Sequence, residues 1–240
     1  MSLNNRVILV TGAARRIGRA IALRLNAEGA RVLIHYNNSE AEARETAAQC
    51  NQAPLYRADL ESVVEIRAMF ESIARDHGRL DGLINNAARF TRLNVMDIEE
   101  ADWDYIHSVN LKSVFFCCQA AARIMPEHGG RIVNISSLGG LRPWADHAHY
   151  CASKAGVIML TKTLAKALAP RIAVNSVAPG VIPFSEGEEQ SPQVQPMVQR
   201  TPMRRAGDAA DVADAVLFFL TASDFITGQT LPVDGGLSLA

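Results

Sequence analysis

The sequence predicts an α/β fold: one doubly wound parallel sheet with helices on both faces. Three observations carry that expectation. Short β-branched runs alternate with longer helical patterns along the whole chain, and no linker, internal repeat or low-complexity segment interrupts them. Regular βαβ alternation of this kind closes a sheet through parallel strands and right-handed crossovers. At 240 residues, 48% apolar and 20% charged, the chain has the profile of a soluble globular protein large enough to bury a core, so a single domain over residues 1–240 is expected.

Each element follows from its local pattern. Residues 6–10 read as the first strand and 17–27 as an amphipathic helix closed by Gly29. The next strand is 31–35 and the next helix 39–50, with Ser39 as N-cap and Glu42 completing a capping box. A third short strand spans 54–57, before a helix over 61–76 that Gly78 ends. Strand 81–85 leads into helical stretches at 97–108 and 111–125, stopped by Pro126 and Gly129. Strand 130–135, helix 149–169, strand 172–176, helix 208–221 and strand 229–233 complete the series. Residues 184–204 form the one long stretch without a clear element, rich in Pro and Glu. Such segments are commonly lids or binding loops, and a surface excursion is the alternative.

Charge and cysteine usage narrow the class. The net charge is −1 with no basic block, which argues against nucleic acid or an anionic membrane as the main partner. Cys50, Cys117, Cys118 and Cys151 have no metal-ligand spacing, so no metal is expected and free thiols in a reducing cytoplasm are the better reading. No stretch reads as a signal peptide or a membrane span, and a cytoplasmic protein is expected.

Ligands of doubly wound sheets bind beyond the carboxyl ends of the strands, so chemistry is sought there. The turn from Thr11 and Gly12 through Arg15, Arg16 and Ile17 to Gly18 follows a strand and opens a helix, a setting for a dinucleotide pyrophosphate. Asp59-Leu60 places a carboxylate where an adenine amino group can be held, or equally caps a helix starting at Glu61. Asn85-Asn86-Ala87-Ala88 supplies amides at the switch point, or is a polar turn. Tyr150 and Lys154 are four apart on a helix and share a face. An ammonium beside a phenol favours the phenolate, and lowering the phenol pKa from about 10 makes it usable for proton transfer. An ordinary surface pair is the alternative.

Together Thr11-Gly12 with Gly18, Asp59, Asn85-Asn86-Ala87, Asn110, Ser137, Tyr150 with Lys154, and Pro179-Gly180 stand in the order and spacing of the short-chain dehydrogenase/reductase family, and Val233-Asp234-Gly235-Gly236 resembles its C-terminal signature. The resemblance covers essentially the whole chain and implies a Rossmann-type oxidoreductase. Within the family, the chain resembles 3-oxoacyl-thioester reductases. Thr11 to Gly18, His35-Tyr36 and Ser39 also resemble pteridine reductases, as does Phe90, where those enzymes stack the pterin.

The resemblance implies a Ser137–Tyr150–Lys154 site supported by Asn110. Tyr150 would protonate a carbonyl oxygen, and Ser137, with Ser136 as competitor, would hold the oxyanion. Lys154 would depress the phenol pKa and bind the nicotinamide ribose, and Asn110 would hold a relaying water or cap a helix junction. The dinucleotide would be held by Gly12, Arg15, Arg16, Ile17, Gly18, His35, Tyr36, Asn37, Ser39, Asp59, Leu60, Asn86, Ala87, Tyr150, Lys154, Pro179, Gly180 and Ile182. It is expected to be NADP(H), because no acid stands between His35 and Glu40 to bind a ribose 2′-hydroxyl, while Arg15 and Arg16 can hold a 2′-phosphate. Phe90, Trp144 and Phe184 would line the substrate pocket, with a lid at 184–204. The expected function is reduction of a ketone or 3-oxoacyl thioester, and the alternatives are dihydropterin reduction and a non-catalytic NADP-binding scaffold or redox sensor. A homotetramer is implied, through helices 111–125 and 151–168 and a second contact near 231–240.

Three departures from the family pattern stand out: Arg16 for the middle glycine, Ala88 for a glycine, and Pro183-Phe184 where a threonine is common. Ser137 also stands where pteridine reductases carry an aspartate.

Overall fold

The computed structural model describes residues 2–127, 129–183, 188–192 and 194–240. Strands β1 (Val7–Val10), β2 (Arg31–Tyr36), β3 (Leu55–Arg57), β4 (Gly82–Asn85), β5 (Gly130–Ile135), β6 (Ile172–Pro179) and β7 (Thr230–Val233) form one sheet in the order β3-β2-β1-β4-β5-β6-β7. Every neighbouring pair is parallel. The chain runs outward from β1 to β3, then returns to β4 on the other side of β1. That reversal opens a crevice between the ends of β1 and β4, where such sheets bind ligands.

The strands are apolar along their length because both faces are covered. In β1, Ile8 and Val10 face one way, among Ile21 and Leu25 of α1 (Arg16–Ala27) and Val212 and Val216 of α8 (Ala209–Thr221). Val7 and Leu9 face the other way, among Ile66, Phe70 and Ile73 of α3 (Val63–His77) and Cys117 and Ala121 of α5 (Ser113–Ile124). Full burial of each large aliphatic side chain contributes roughly 1.5–3 kcal/mol, which fixes the strand faces and hence the register.

Several local expectations give way. Ser39 makes no capping bond at α2 (Glu40–Gln49), because its backbone (φ −92, ψ 61) is not extended as a capping residue's is. Asp59 does not cap α3 either; Ser62 does, accepting from the Glu65 amide at 3.2 Å. β6 runs on to Pro179, since β7 pairs with Ser176 through Pro179. The stretch 184–204 contains a short helix, α7 (Gln195–Arg200), while 184–187 and Gln193 lie outside the described residues. Finally, α4 (Glu100–His107) and α5 are not separate: a π-helical turn, Ser108–Lys112, joins them around Asn110. α6 (Ala148–Leu168) follows β5. Among the described residues no helix is long and apolar enough to cross a membrane.

Candidate active site

The first turn is built on backbone contacts. Gly12 has φ +62, and a Cβ there would approach Ala87 Cα at 3.0 Å; a Cβ on Gly18 would overlap the Gly12 carbonyl and come within 2.6 Å of Asn86 Nδ2. Asn86 Nδ2 donates to the Thr11 and Gly12 carbonyls at 2.9 and 3.1 Å. Thr11 Oγ1 accepts from the Asn86 and Ala87 amides at 2.9 and 3.1 Å. β1 and β4 are thus tied together at the switch point. Arg16 adopts φ +55 in place of the family's glycine, a left-handed conformation costing a side-chain-bearing residue on the order of 1 kcal/mol. Arg15 and Arg16 are both exposed there, and Ile17 is half-buried.

His35 does not present its ring to this crevice. It is 2% exposed; Nδ1 accepts from the Gly12 amide and Nε2 lies against the Ala58 carbonyl, each at 3.0 Å. Both contacts require the neutral ring with its proton on Nε2, and burial pulls its pKa down to about 4. The side chain therefore acts on the turn from behind. Tyr36 packs partly buried on the core at α1 and α2, Asn37 and Ser39 are half-buried, and the Asn37 carbonyl accepts from Arg57 Nε at 3.3 Å. Next to β3, Asp59 is half-buried and Leu60 buried; Asp59 accepts from the Glu61 amide at 3.0 Å and donates its own amide to Glu65 at 2.8 Å.

At the end of β5, Ser137 accepts from the Gly139 amide at 3.0 Å, and its hydroxyl opposes the rise in the Tyr150 phenol pKa. Ser136 is excluded from that position. Its hydroxyl donates to the Val177 carbonyl at 3.1 Å and accepts from Ser176 at 2.7 Å, between strands. Lys154, one turn beyond Tyr150, is 3% exposed; its Nζ donates to the Ile135 carbonyl at 2.9 Å and lies 5.8 Å from the Tyr150 ring centre. Asn110, held in the π turn, accepts from the Arg89 amide at 2.8 Å and donates to the Arg89 carbonyl at 2.9 Å and to Ser153 at 3.3 Å.

The expected direction of the phenol shift is not found. Desolvation pushes Tyr150 up to about 12, with the Ser137 hydrogen bond opposing it, while burial pulls Lys154 down to about 8. Below pH 8 Lys154 is charged, and it favours a phenolate formed during a proton transfer.

Aromatic rings surround Tyr150. Phe90 meets it edge-on at 4.8 Å (88°) and stacks on His147 at 4.9 Å (23°). Trp144 lies nearly parallel to Tyr150 at 6.1 Å (12°) and edge-on to His147 at 5.6 Å (78°). Phe90 and Trp144, expected to line a substrate pocket, both lie against the Tyr150 ring, and Phe184 lies outside the described residues. His149 faces away from the Tyr150 phenol, fully buried with Nε2 2.6 Å from Thr91 Oγ1.

Beyond β6, a Cβ on Gly180 would sit 2.7 Å from Asp234 Cα, and the Gly180 amide donates to the Val233 carbonyl at 2.9 Å. Pro179 ends β6, and Ile182 packs on the core beside α1 and α8. The C-terminal signature thus holds the loop of Pro179, Gly180 and Ile182 in place. A separate hollow of about 440 Å³ opens at the amino ends of the strands, lined by Arg6, Asp81, Arg131 and Asp224 among others, and contains none of the residues above.

Sequence reasoning missed a buried polar chain behind the site. Asn85 Nδ2 donates to Asn134 at 2.8 Å, and Asn134 Nδ2 donates to Thr161 at 2.9 Å, joining β4, β5 and α6. Polar residues within otherwise apolar strands are the only signal for it. Among the described residues no cluster of His, Cys, Asp or Glu could hold a metal ion.

Comparison with known proteins agrees with this geometry. The family described as Enoyl-(Acyl carrier protein) reductase matches residues 12–238. A 3-oxoacyl-[acyl-carrier-protein] reductase of Synechocystis sp. is 39% identical, covering 98% of each chain. A short-chain dehydrogenase from Burkholderia cenocepacia J2315, solved in complex with NADP, superposes with a TM-score of 0.94 at 36% identity, covering 99% of each chain. The promiscuous reductase LugOII, which catalyses keto-reduction at C1 during lugdunomycin biosynthesis, superposes with a TM-score of 0.92 at 38% identity over all of both chains.

Proposed function

This chain belongs to the short-chain dehydrogenase/reductase family of oxidoreductases, and from that premise we propose that it reduces a ketone or 3-oxoacyl thioester with NADPH. The carrying observation is that Tyr150 and Lys154, one turn apart on α6, meet the end of β5 at Ser137 and Ile135. Tyr150 gives its proton to the carbonyl oxygen. Ser137 donates a hydrogen bond to the same oxygen as negative charge develops there. The Lys154 ammonium stabilises the phenolate that remains. When bound, the reduced nicotinamide supplies the hydride.

The residues present fit such a cofactor. Gly12 and Gly18 pack so closely on Ala87, Asn86 and the turn's own carbonyl that a Cβ at either would clash, which holds the backbone in the tight strand-to-helix turn a pyrophosphate needs; Arg15 and Arg16 flank it, and no acid follows β2 before Glu40. NADP-bound relatives point the same way. A ketone is favoured over a pterin because protonation at a ring nitrogen suits an acid, and the chain offers the Ser137 hydroxyl instead.

NADPH oxidation is the test, followed with acetoacetyl thioester, a simple ketone and dihydrobiopterin. Wild-type protein should consume NADPH with a carbonyl substrate and do so poorly with NADH. Tyr150→Phe should lose about 10²–10⁴-fold in turnover while binding the dinucleotide normally. Full turnover in that variant would overturn the mechanism, and preferential use of dihydrobiopterin would overturn the substrate class.

A further inference from the structure

We propose that the substrate is a rigid, planar ketone whose carbonyl is conjugated to or fused with an aromatic ring, recognised by the frame of Phe90, Trp144 and His147 around Tyr150. This rests on the carbonyl-reductase reading and narrows it. The three side chains come from two loops, one after β4 and one between β5 and α6, yet they converge on one phenol. Phe90 and Trp144 both contact the Tyr150 ring, one by its edge and one in parallel, and His147 bridges them. A Cβ on Gly139 would come within 3.2 Å of the Trp144 indole, so the indole rests directly on the backbone that follows Ser137. Phe90 remains 44% exposed and Trp144 half-buried, so part of each ring is accessible beside the proton donor.

His147 belongs to this frame as a ring: burial and the Arg92 guanidinium hold its pKa below the ordinary value, which disfavours the cation. Aromatic faces give their added attraction to flat π systems in offset or edge-on contact, and a flexible acyl chain forfeits that geometry. In the reaction, two electrons arrive as a hydride on the carbonyl carbon and the proton comes from Tyr150. The ketone becomes a secondary alcohol as the reduced dinucleotide is oxidised.

The test pairs binding with turnover, using 1-tetralone as the planar ketone against ethyl acetoacetate and acetoacetyl thioester. Calorimetric titration without turnover, on protein carrying NADP⁺, should show tetralone binding more tightly than ethyl acetoacetate by about tenfold or more. Catalytic efficiency with NADPH should favour tetralone in the same sense. Phe90→Leu and Trp144→Leu should each cut that preference several-fold, and His147→Phe should preserve it. If an acyclic ester or thioester is preferred in both measurements, or the preference survives in both leucine variants, the inference is wrong although the reductase reading stands. If tetralone binds selectively but no ketone consumes NADPH, the frame is supported and the reductase reading fails.

Discussion

At the scale of single residues, the site rests on two ionisations displaced in opposite senses by the same cause. Desolvation holds the Tyr150 proton to about pH 12 and releases the Lys154 proton near pH 8. A phenol that stays protonated throughout the working range is always loaded as an acid, so it sets no pH limit on carbonyl reduction. Lys154 does. With Nζ 5.8 Å from the phenol ring centre, a unit charge stabilises a phenolate by about 3 kcal/mol at an effective dielectric of about 20, and that help vanishes once the amine is neutral. Turnover should therefore fall above pH 8 along a single ionisation. In Lys154→Arg, whose charge does not titrate, the level should drop but the alkaline limb should flatten. An identical limb in both proteins would assign it to another group. This residue-level balance was not legible in the sequence: the four-residue spacing placed both side chains on one face, but burial, which reverses the sign for the phenol, depends on strands far away in the chain.

At the scale of elements, the unit that matters is the turn joining β1 to α1, and His35 of β2 is its hidden support. Its neutral ring accepts from the Gly12 amide and faces the Ala58 carbonyl, with Asp59 as the charge that most opposes the lowering. The folded pKa of about 4 lies below the ordinary 6.5, so between those values the unfolded chain binds a proton that the folded one refuses. Stability then rises with pH across that window. The contribution is complete above pH 6.5 and is lost as pH falls towards 4, amounting to about 3 kcal/mol. Denaturant titrations at pH 7 and pH 4.5 should show this loss, and His35→Asn should lose correspondingly less between the same two pH values. Equal losses would remove His35 from the account. The elements themselves were largely legible, since alternation of apolar strands with helical periods survives in the sequence. Misses came where geometry overrides a local signal. Ser39 had the right type for a cap but the wrong backbone, Asn110 marked a π turn within a continuous helix where a break between two was expected, and His35 looked like a cofactor contact but faces inward.

At the scale of the whole molecule, the surface carries more large apolar side chains than one chain needs to expose. Trp103 of α4, Phe115 of α5 and Met159 of α6 are 43%, 38% and 61% exposed, on the elements that cover one face of the sheet. Phe218, Phe225, Leu231 and Leu239 are also exposed, on α8, the loop that follows it, β7 and the C-terminal end. Large exposed apolar side chains are candidate contacts, and two self-complementary surfaces on one chain would build a closed assembly of four with two distinct two-fold contacts. We infer a homotetramer on this ground. The two contacts should be separable, because their residues lie on different elements and share no side chain. Placing a charge at the centre of one patch, as in Met159→Glu, should halve the particle mass in light scattering and leave the other contact intact. Phe218→Glu should produce a dimer of the other kind, and the double variant a monomer. A wild-type protein that scatters as a monomer at micromolar concentration would refute the assembly outright, and variants that still scatter as tetramers would show that the contacts lie elsewhere on the surface.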